Sequence, residues 1–527
     1  MSSKRIADLM LEQLADYGVK YLFGVIGDAI FPLADALSRQ NRIQFIPTTI
    51  ETAAAFMACY SAKLTGKLGV CIGTSGPGAI NLANGTAEAF LDGAPLLCIS
   101  GQVSSSKMGT ATKQYLEQNL FFKAITSETE LCSHPDSILP ILVSLINKAL
   151  ALRTAVHLSI PVDILNLETT AVPILPMPIQ NNFDGTQTIN GDFEKALELI
   201  KTCQRPLIII GLEARKQANL LLSFAESLGA GIVTGQENKG AIPDDHSLVL
   251  GGIGEAYLPE VFTTSDLILL FGNAVYEESY LPEQTQVIQF KNSFDPNYRK
   301  YLCLNCDWDF IIAKIRENFP TVMQRDEWRS QLQLAHQARI DLLENQTQPQ
   351  HPLYFFRMLS RYLADDALIT LDVGEFVYWF DLGFSAKKQR VLLSSQWRSM
   401  GGGIPAGIAA CLHSPGKQVV SIVGDGGFLM SGMELATLKR NHLPLTIFVL
   451  RNNCFGLEQQ KMARQNFSSF GTDLVLPDLI KLAEAFGLKT ISLTEPSQYG
   501  SLIAEALENS PALVEVQVSS EILPALQ

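Results

Sequence analysis

Along this chain short apolar runs end in a Gly or polar turn and pass into stretches with apolar residues at helical spacing, as in "YLFGVIGDAIFPLADAL", "LGVCIGTSGPGAINLANGTAEAF" and "AVHLSIPVDIL". Short continuous apolar runs suit strands buried on both faces, and their alternation with helices predicts doubly wound parallel sheets of the α/β class. The opening "MSSKRIADLMLEQLADYGVKYLFGV" places apolar residues among charges at helical spacing, so it reads as a first helix and not as a targeting segment. Residues 166–190 are rich in Pro, Asn and Thr without periodicity and read as a linker. A second unit runs from "GDFEKALELIKTCQRPLIIIGLEARK" to about residue 320, and the polar helical stretch "RDEWRSQLQLAHQARIDLLENQTQPQHP" bridges to a third that ends in "PALVEVQV". The expected domains are 1–168, 190–322 and 350–527.

Composition narrows the function. A net charge of −13, from 40 Lys+Arg against 53 Asp+Glu, argues against nonspecific nucleic-acid binding, which needs a basic face. No window approaches a membrane-spanning run of uninterrupted apolar residues, so no membrane span is expected. The nine cysteines lie largely in apolar strand-like runs, where a thiol acts as a small hydrophobe, and a reducing, cytoplasmic location is expected. The pair in "CLNC" has no second Cys or His pair to complete a zinc site and reads as structural.

The candidate chemistry lies in "VVSIVGDGGFLMSGMELATLKRNHLPLTIFVLRNN". "VVSIV" reads as a buried strand, with Asp425 in the turn at its carboxyl end, where open α/β sheets place ligands. "MSGMELATLKRNHL" reads as a helix and "PLTIFVL" as the next parallel strand, so Asn452 emerges at the same sheet edge as Asp425. One carboxylate and one amide oxygen suit a hard divalent cation such as Mg²⁺ that keeps sites for water or phosphate. Gly424, Gly426 and Gly427 would let backbone N–H groups approach a diphosphate.

This Gly-Asp-Gly and Asn-Asn pair, with its spacing, resembles the thiamine diphosphate (ThDP) enzymes that include acetolactate synthase, pyruvate oxidase and the 2-oxo-acid decarboxylases. The resemblance spans nearly the whole chain and implies pyrimidine-binding, central and diphosphate-binding units. It implies metal coordination by the Asp425 and Asn452 side chains and the Cys454 carbonyl, with Phe455 and Gly456 beside the cofactor. "WRSMGGGIPAG" is similar to the segment that bends the cofactor: Met400 would be the wedge, and the Arg398 carbonyl and Met400 N–H would bind the aminopyrimidine. Gly374 and Glu375 would approach the diphosphate. On the pyrimidine side the resemblance implies Gly27, Thr74 and Asn81, and above all Glu51, which opens an otherwise small-residue apolar helix where an ionised carboxylate would be poorly solvated. In that family such a glutamate shares a proton with the pyrimidine ring and thereby activates the thiazolium C2. A lone glutamate there is ordinarily a charge favoured by the helix dipole. Family members set the pyrimidine-binding unit of one copy against the diphosphate-binding unit of another, so a homodimer or homotetramer is expected.

The reaction branch is less uniform. Simple pyruvate and indolepyruvate decarboxylases carry a His-His pair, and "GQVSSSKMGTATKQYLEQNLFFKAIT" has none. Gln114 matches a substrate-side glutamine of the synthase and oxidase branches, but Lys113 and Tyr115 replace its usual neighbours, and Lys113 reads either as a partner for a substrate carboxylate or as a solvated lysine. Glu458 matches a glutamate of the simple decarboxylases, and reads equally as a proton donor or as a helix-start residue. "IIIGLEARK" resembles the FAD loop of the oxidases with Arg215 kept, but Glu213 replaces a glycine and "FKNSFDP" replaces an acidic strand end, so FAD is not favoured. The reading is non-oxidative decarboxylation of a 2-oxo acid, pyruvate being the expected one, with carboligation of the acetolactate synthase type; a flavin-linked pyruvate oxidase or quinone-dependent dehydrogenase, or a simple decarboxylase, is the alternative.

Overall fold

A computed structural model describes residues 3–176, 191–253, 260–274, 284–291, 301–319, 323 and 325–523. Residues 177–190 of the expected linker and residues 292–296 of "FKNSFDP" lie outside the described residues.

The chain forms three sheets of six strands each, all parallel. In the N-terminal unit β1 (Lys4–Arg5) pairs antiparallel with β8 (Glu168–Thr169) beside the main sheet. That sheet comprises β2 (Tyr21–Gly24), β3 (Gln44–Pro47), β4 (Gly69–Gly73), β5 (Leu96–Gln102), β6 (Glu128–Leu131) and β7 (Ala155–Pro161), in the order β3-β2-β4-β5-β7-β6. The central sheet has β9 (Pro206–Ile210), β10 (Gly231–Thr234), β11 (Val249–Gly252), β12 (Leu267–Phe271), β13 (Gln286–Lys291) and β14 (Leu302–Asn305), in the order β11-β10-β9-β12-β13-β14. The C-terminal sheet has β15 (Leu368–Leu371), β16 (Arg390–Leu392), β17 (Val419–Gly424), β18 (Leu445–Arg451), β19 (Lys489–Leu493) and β20 (Ala512–Gln517), in the order β16-β15-β17-β18-β20-β19. The two outer sheets therefore share one topology, and the central sheet has another.

The doubly wound α/β reading holds, with local differences. The N-terminal unit continues beyond residue 168, because Gln13 exchanges hydrogen bonds with the backbone of Ile174 at 2.7 and 2.8 Å. The stretch read as a bridge is the helix Asp326–Asn345, and it belongs to the central unit: Trp328 and Leu332 are buried against Leu207 and Ile209 of β9. The apolar residues of that helix, sparse among charges, were enough to dock it on the sheet. Among the described residues one stretch, Pro135–Leu152, is long and apolar enough to cross a membrane by length and composition. Within it, Ile138, Leu142, Leu145 and Ile146 fill the N-terminal core, which accounts for its apolar face.

The outer units share a core. Helix Glu51–Thr65 contributes Ala54, Ala55, Met57 and Ala58, and helix Gly403–His413 contributes Ile404, Ala406 and Ala410 to one buried cluster. Small side chains let the two helices pack closely. At the end of this seam Asp92 accepts the N–H groups of Ser395 (2.9 Å) and Gln396 (2.8 Å), and Lys63 bridges Glu88 and Asp92. The seam fixes how the turn before Gly403 lies against the helix that Glu51 opens, and a Cβ on Gly402 would stand 3.3 Å from the Tyr60 hydroxyl.

Candidate active site

In a parallel sheet, a crevice opens where neighbouring strands send their connections in opposite directions. In the C-terminal sheet this happens between β15 and β17. The loop after β15 carries Asp372, Gly374 and Glu375; β17 ends at Gly424, and Asp425 starts the helix Asp425–Ser431. The acid thus stands at a strand-to-helix junction and not in a turn, and the helix begins earlier than its apolar spacing suggests. A cavity of about 250 Å³ opens here, and its lining includes every diphosphate-side residue named from the sequence: Gly374, Glu375, Arg398, Met400, Gly424 to Gly427, Asn452, Cys454, Phe455 and Gly456, with Glu458 at its rim.

The donor geometry is specific. Asp425 is buried, its Oδ1 accepting the N–H of Gly426 (2.8 Å) and its Oδ2 those of Asn452 (3.1 Å) and Asn453 (2.7 Å). Burial raises its pKa and the three N–H groups oppose that rise, so the fold compensates a carboxylate that needs a cation. Asn453 adopts φ 60°, the left-handed turn that brings two consecutive N–H groups to one oxygen. Asn452 donates its amide to Glu375 Oε1 at 2.6 Å, and the Cys454 N–H reaches Asn452 Oδ1 at 3.2 Å. Glu375 also accepts from Gln460 at 2.8 Å, and burial pushes its pKa up to about 7. Among the described residues no three His, Cys, Asp or Glu side chains form a metal centre. The Asp425 carboxylate, the Asn452 amide and a backbone carbonyl would hold a hard cation only with oxygens supplied by a ligand, which fits Mg²⁺ bound with a diphosphate. The glycines fit the same reading: a Cβ on Gly426 would meet the Phe455 ring at 2.5 Å, and one on Gly427 would collide with Asp372.

Asp372 is a site residue that sequence reasoning missed. Its carboxylate accepts the N–H of Val373 (2.8 Å) and of Gly401 (2.9 Å), so it ties the β15 loop to the turn after Met400. Burial pushes its pKa up to about 7. The available signal was a lone acid ending the apolar run "ALITLD". Arg398 enters that turn with φ 53°, and its guanidinium reaches Gln236 of the central unit at 3.2 Å.

The pyrimidine-side residues cluster separately. Gly27 and Thr74 follow β2 and β4, the strands flanking the crevice of the N-terminal sheet, and a Cβ on Gly27 would meet Thr74 at 2.5 Å. Glu51 is buried; Asn81 donates to its Oε2 at 3.0 Å, and its Oε1 has no hydrogen-bond partner among the described residues. That oxygen faces Gly78, whose Cβ would stand 2.9 Å away. Thr49, two residues earlier, is fixed by Glu434 of the C-terminal unit, a second buried acid the sequence did not single out. Gln114 sits at φ 62° with its carbonyl over Gly76, and Gln118 holds that turn by accepting the Gly76 N–H at 3.0 Å. Lys113 is exposed. None of Gly27, Glu51, Thr74, Asn81 or Gln114 lines the C-terminal cavity. Among the described residues of one chain, these pyrimidine-side residues and the diphosphate-side residues line no common cavity.

The family descriptions for a thiamine pyrophosphate enzyme match in all three units: the N-terminal TPP binding domain at residues 4–125, the central domain at 193–301 and the C-terminal TPP binding domain at 372–516. The chain belongs to the thiamine pyrophosphate enzyme family. It is 30% identical to the thiamine pyrophosphate-containing protein YdaP of Bacillus subtilis, over 99% of this chain and 93% of that one. It is 26% identical to the acetolactate synthase large subunit of Lactococcus lactis, over 99% and 94% of the two chains, and 25% identical to the pyruvate oxidase of Lactiplantibacillus plantarum, over 97% and 88%.

The central unit differs. Its crevice falls between β9 and β12, where Rossmann-type sheets bind dinucleotides. Here the two loops are joined, Gly211 N–H to the Phe271 carbonyl and Leu212 N–H to the Asn273 carbonyl, both at 2.8 Å. Glu213 accepts the backbone N–H and the side-chain amide of Asn273, each at 2.8 Å, placing a carboxylate where a diphosphate would seek those donors. Arg215 points instead to carbonyls including Lys239 (3.2 Å) and Gln389 (2.7 Å). These residues do not fit the diphosphate of FAD.

Proposed function

We propose that the protein decarboxylates a 2-oxo acid, pyruvate first among them, and joins the remaining acyl unit to a second carbonyl compound, as an acetolactate synthase does. The observation that carries this reading is that the polar, glycine-lined cavity of the C-terminal unit and the buried Glu51 of the N-terminal unit are not joined in one cavity of a single chain, so each would lack the other's groups. Two copies arranged reciprocally complete both. Exposed apolar side chains beside each half-site, among them Ile26, Phe31 and Ile50 on one and Leu429, Met430 and Met433 on the other, support such a homodimer.

ThDP, when bound, supplies the electron sink that lets a 2-oxo acid lose carbon dioxide. This chain's residues do the rest. Asp425, Asn452 and the Cys454 carbonyl would hold Mg²⁺, and the N–H groups around Gly424 to Gly427 would hold the diphosphate. Met400, on a turn that Asp372 fixes, would pack against the cofactor. Glu51, with Asn81 on one oxygen and the other unpartnered among the described residues, would share a proton with the pyrimidine ring. Glu458, an exposed residue of the cavity lining, would hand a proton to the product. The similarity to acetolactate synthase supports carboligation, and the self-filled central crevice weighs against the flavin-linked alternative that the pyruvate oxidase similarity raises. That none of the nine cysteines forms a disulfide among the described residues supports a reducing, cytoplasmic setting. Product analysis with pyruvate alone, then with added aldehydes, tests the reading: acetolactate or another ligated product is expected, and acetaldehyde as the sole product would overturn carboligation.

A further inference from the structure

A second constellation lies at the other end of the helices that carry the catalytic turns. Helix Glu51–Thr65 begins at Glu51 and ends about 20 Å away at Thr65. Helix Gly403–His413, which follows the Met400 turn, packs beside it and ends at His413. Both ends open onto a cleft of about 360 Å³ at the junction of the three units. Its lining includes Arg215 from the central unit and Lys388, Arg390, His413 and Lys417 from the C-terminal unit, with Asp366 as its one carboxylate. Thr65 and His413 also border an adjoining pocket of about 140 Å³ lined by Lys20 and Lys67.

The charge balance is unusual for a chain of net charge −13. Lys417 pairs with Asp366 at 3.0 Å. Among the described residues Lys20, Lys67, Lys388, Arg215 and Arg390 have no carboxylate partner. The two guanidinium groups are half-buried and spend their N–H groups on backbone carbonyls, Arg390 on those of Leu64 (2.7 Å) and Lys63 (2.8 Å). The carboxyl ends of the two helices carry about half a negative charge each, and Asp366 adds a carboxylate; Arg215, Lys388, Arg390 and Lys417 still leave a surplus of positive charge, with Lys388 exposed and unpaired and Lys417 exposed in its pair with Asp366. His413 adds a buried ring nitrogen, Nε2, without a partner. The space holds one or two phosphate groups and is too small for a polymer.

We propose that this junction cleft binds a phosphate group, free or as a small phosphate ester, as an effector of the catalytic site. The lysine ammoniums of Lys388 and Lys417 reach the anion and the two guanidiniums supply the field. An anion there draws Arg390 from the last carbonyls of the Glu51 helix and loads the His413 end of its neighbour, so binding bears on both catalytic turns. This last step rests on the assignment of Glu51 and Met400 given above.

The test uses the full-length protein loaded with ThDP and Mg²⁺, so that the diphosphate cradle is filled, at constant ionic strength and free Mg²⁺. Calorimetric titration with inorganic phosphate, and separately with glycerol 3-phosphate, distinguishes the free anion from an ester. Saturable binding is expected with at least one, weakened at least tenfold in Lys388→Glu/Lys417→Glu and unchanged in Lys107→Glu on a remote exposed turn. Equal binding by the double variant, or phosphate binding no tighter than chloride or citrate, would overturn the site. The exchange rate of the cofactor C2 proton is then read with and without saturating phosphate. A change in the wild type that is absent in the double variant supports the effector role, and identical rates despite binding would remove it. Calorimetry does not depend on the reaction, so intact binding in a protein that turns over no 2-oxo acid would count against the proposed function alone.

Discussion

The C-terminal and central units obey the same rule of parallel sheets and use it in opposite ways. Each has a crevice where strand connections diverge, β15 against β17 in one and β9 against β12 in the other. In the C-terminal unit Asp425 collects three backbone N–H groups and leaves a cavity above them. In the central unit Glu213 binds the Asn273 donors itself, and the loops close on each other. An acidic side chain beside a crevice therefore means different things according to what it faces: an acid surrounded by N–H groups invites a cation, and an acid spent on the opposite loop excludes an anion. Arg215 and Arg398 join the central unit to its neighbour.

The largest effect is expected at Glu51. Glu51→Gln should retain folding and Mg²⁺–ThDP binding while slowing cofactor C2 proton exchange by about two to four orders of magnitude; unchanged exchange by NMR would remove Glu51 from the site. Asp425→Ala should instead fail at binding, with Mg²⁺-dependent retention of ThDP on gel filtration lost, because the phosphates lose their bridge to the protein. Retention equal to wild type would break the contrast between the two crevices. The complementary arm is the central unit: titration of the wild type with FAD should give no saturable binding and no blue-edge absorbance in the bound fraction, and tight binding would show that Glu213 does not fill the crevice.

A pH effect of intermediate size follows from the open crevice. Burial pushes Asp372 and Glu375 up to about 7. A folded-state pKa above the unfolded value means that the folded protein binds more protons between about pH 4 and 7, so stability falls as pH rises through that window and is greatest at its acid end. Each group contributes up to about 1.4 kcal/mol per pH unit in the metal-free protein. Asp372→Asn should flatten that slope in denaturant melts, and an unaltered slope would contradict its burial as the cause. The smallest effect belongs to Glu458: Glu458→Gln should shift the aldehyde-to-ligated-product ratio a few-fold, and an unaltered mixture would make it a helix-start residue only.

How much of this was legible follows from what each residue needs. The parallel sheets were readable from the alternation of apolar runs and helical spacing, and the residues expected on the diphosphate side, strand ends, glycines and paired polar residues close in sequence, line one cavity together. Asp372 was not readable, because its role is to receive the N–H of Gly401, a contact made by strand order and not by spacing. Glu434 escaped for the same reason, its partner Thr49 lying in another unit. The helix Asp326–Asn345 looked solvated because few of its residues are apolar, and only the sheet beneath it shows what Trp328 covers. The closing of the central crevice was half visible: the sequence showed a carboxylate in place of a glycine, and the pairing with Asn273 needed the fold.

The central claim is that Glu51 of one copy serves the cradle of another, and a mixing experiment tests it directly. Glu51→Gln and Asp425→Ala chains, each inactive alone, are unfolded together, refolded and assayed for loss of 2-oxo acid. Random pairing should restore about a quarter of wild-type activity, since half of the dimers are mixed and each carries one intact site. No restoration in verified mixed dimers would mean that both half-sites must come from one chain, contradicting the account.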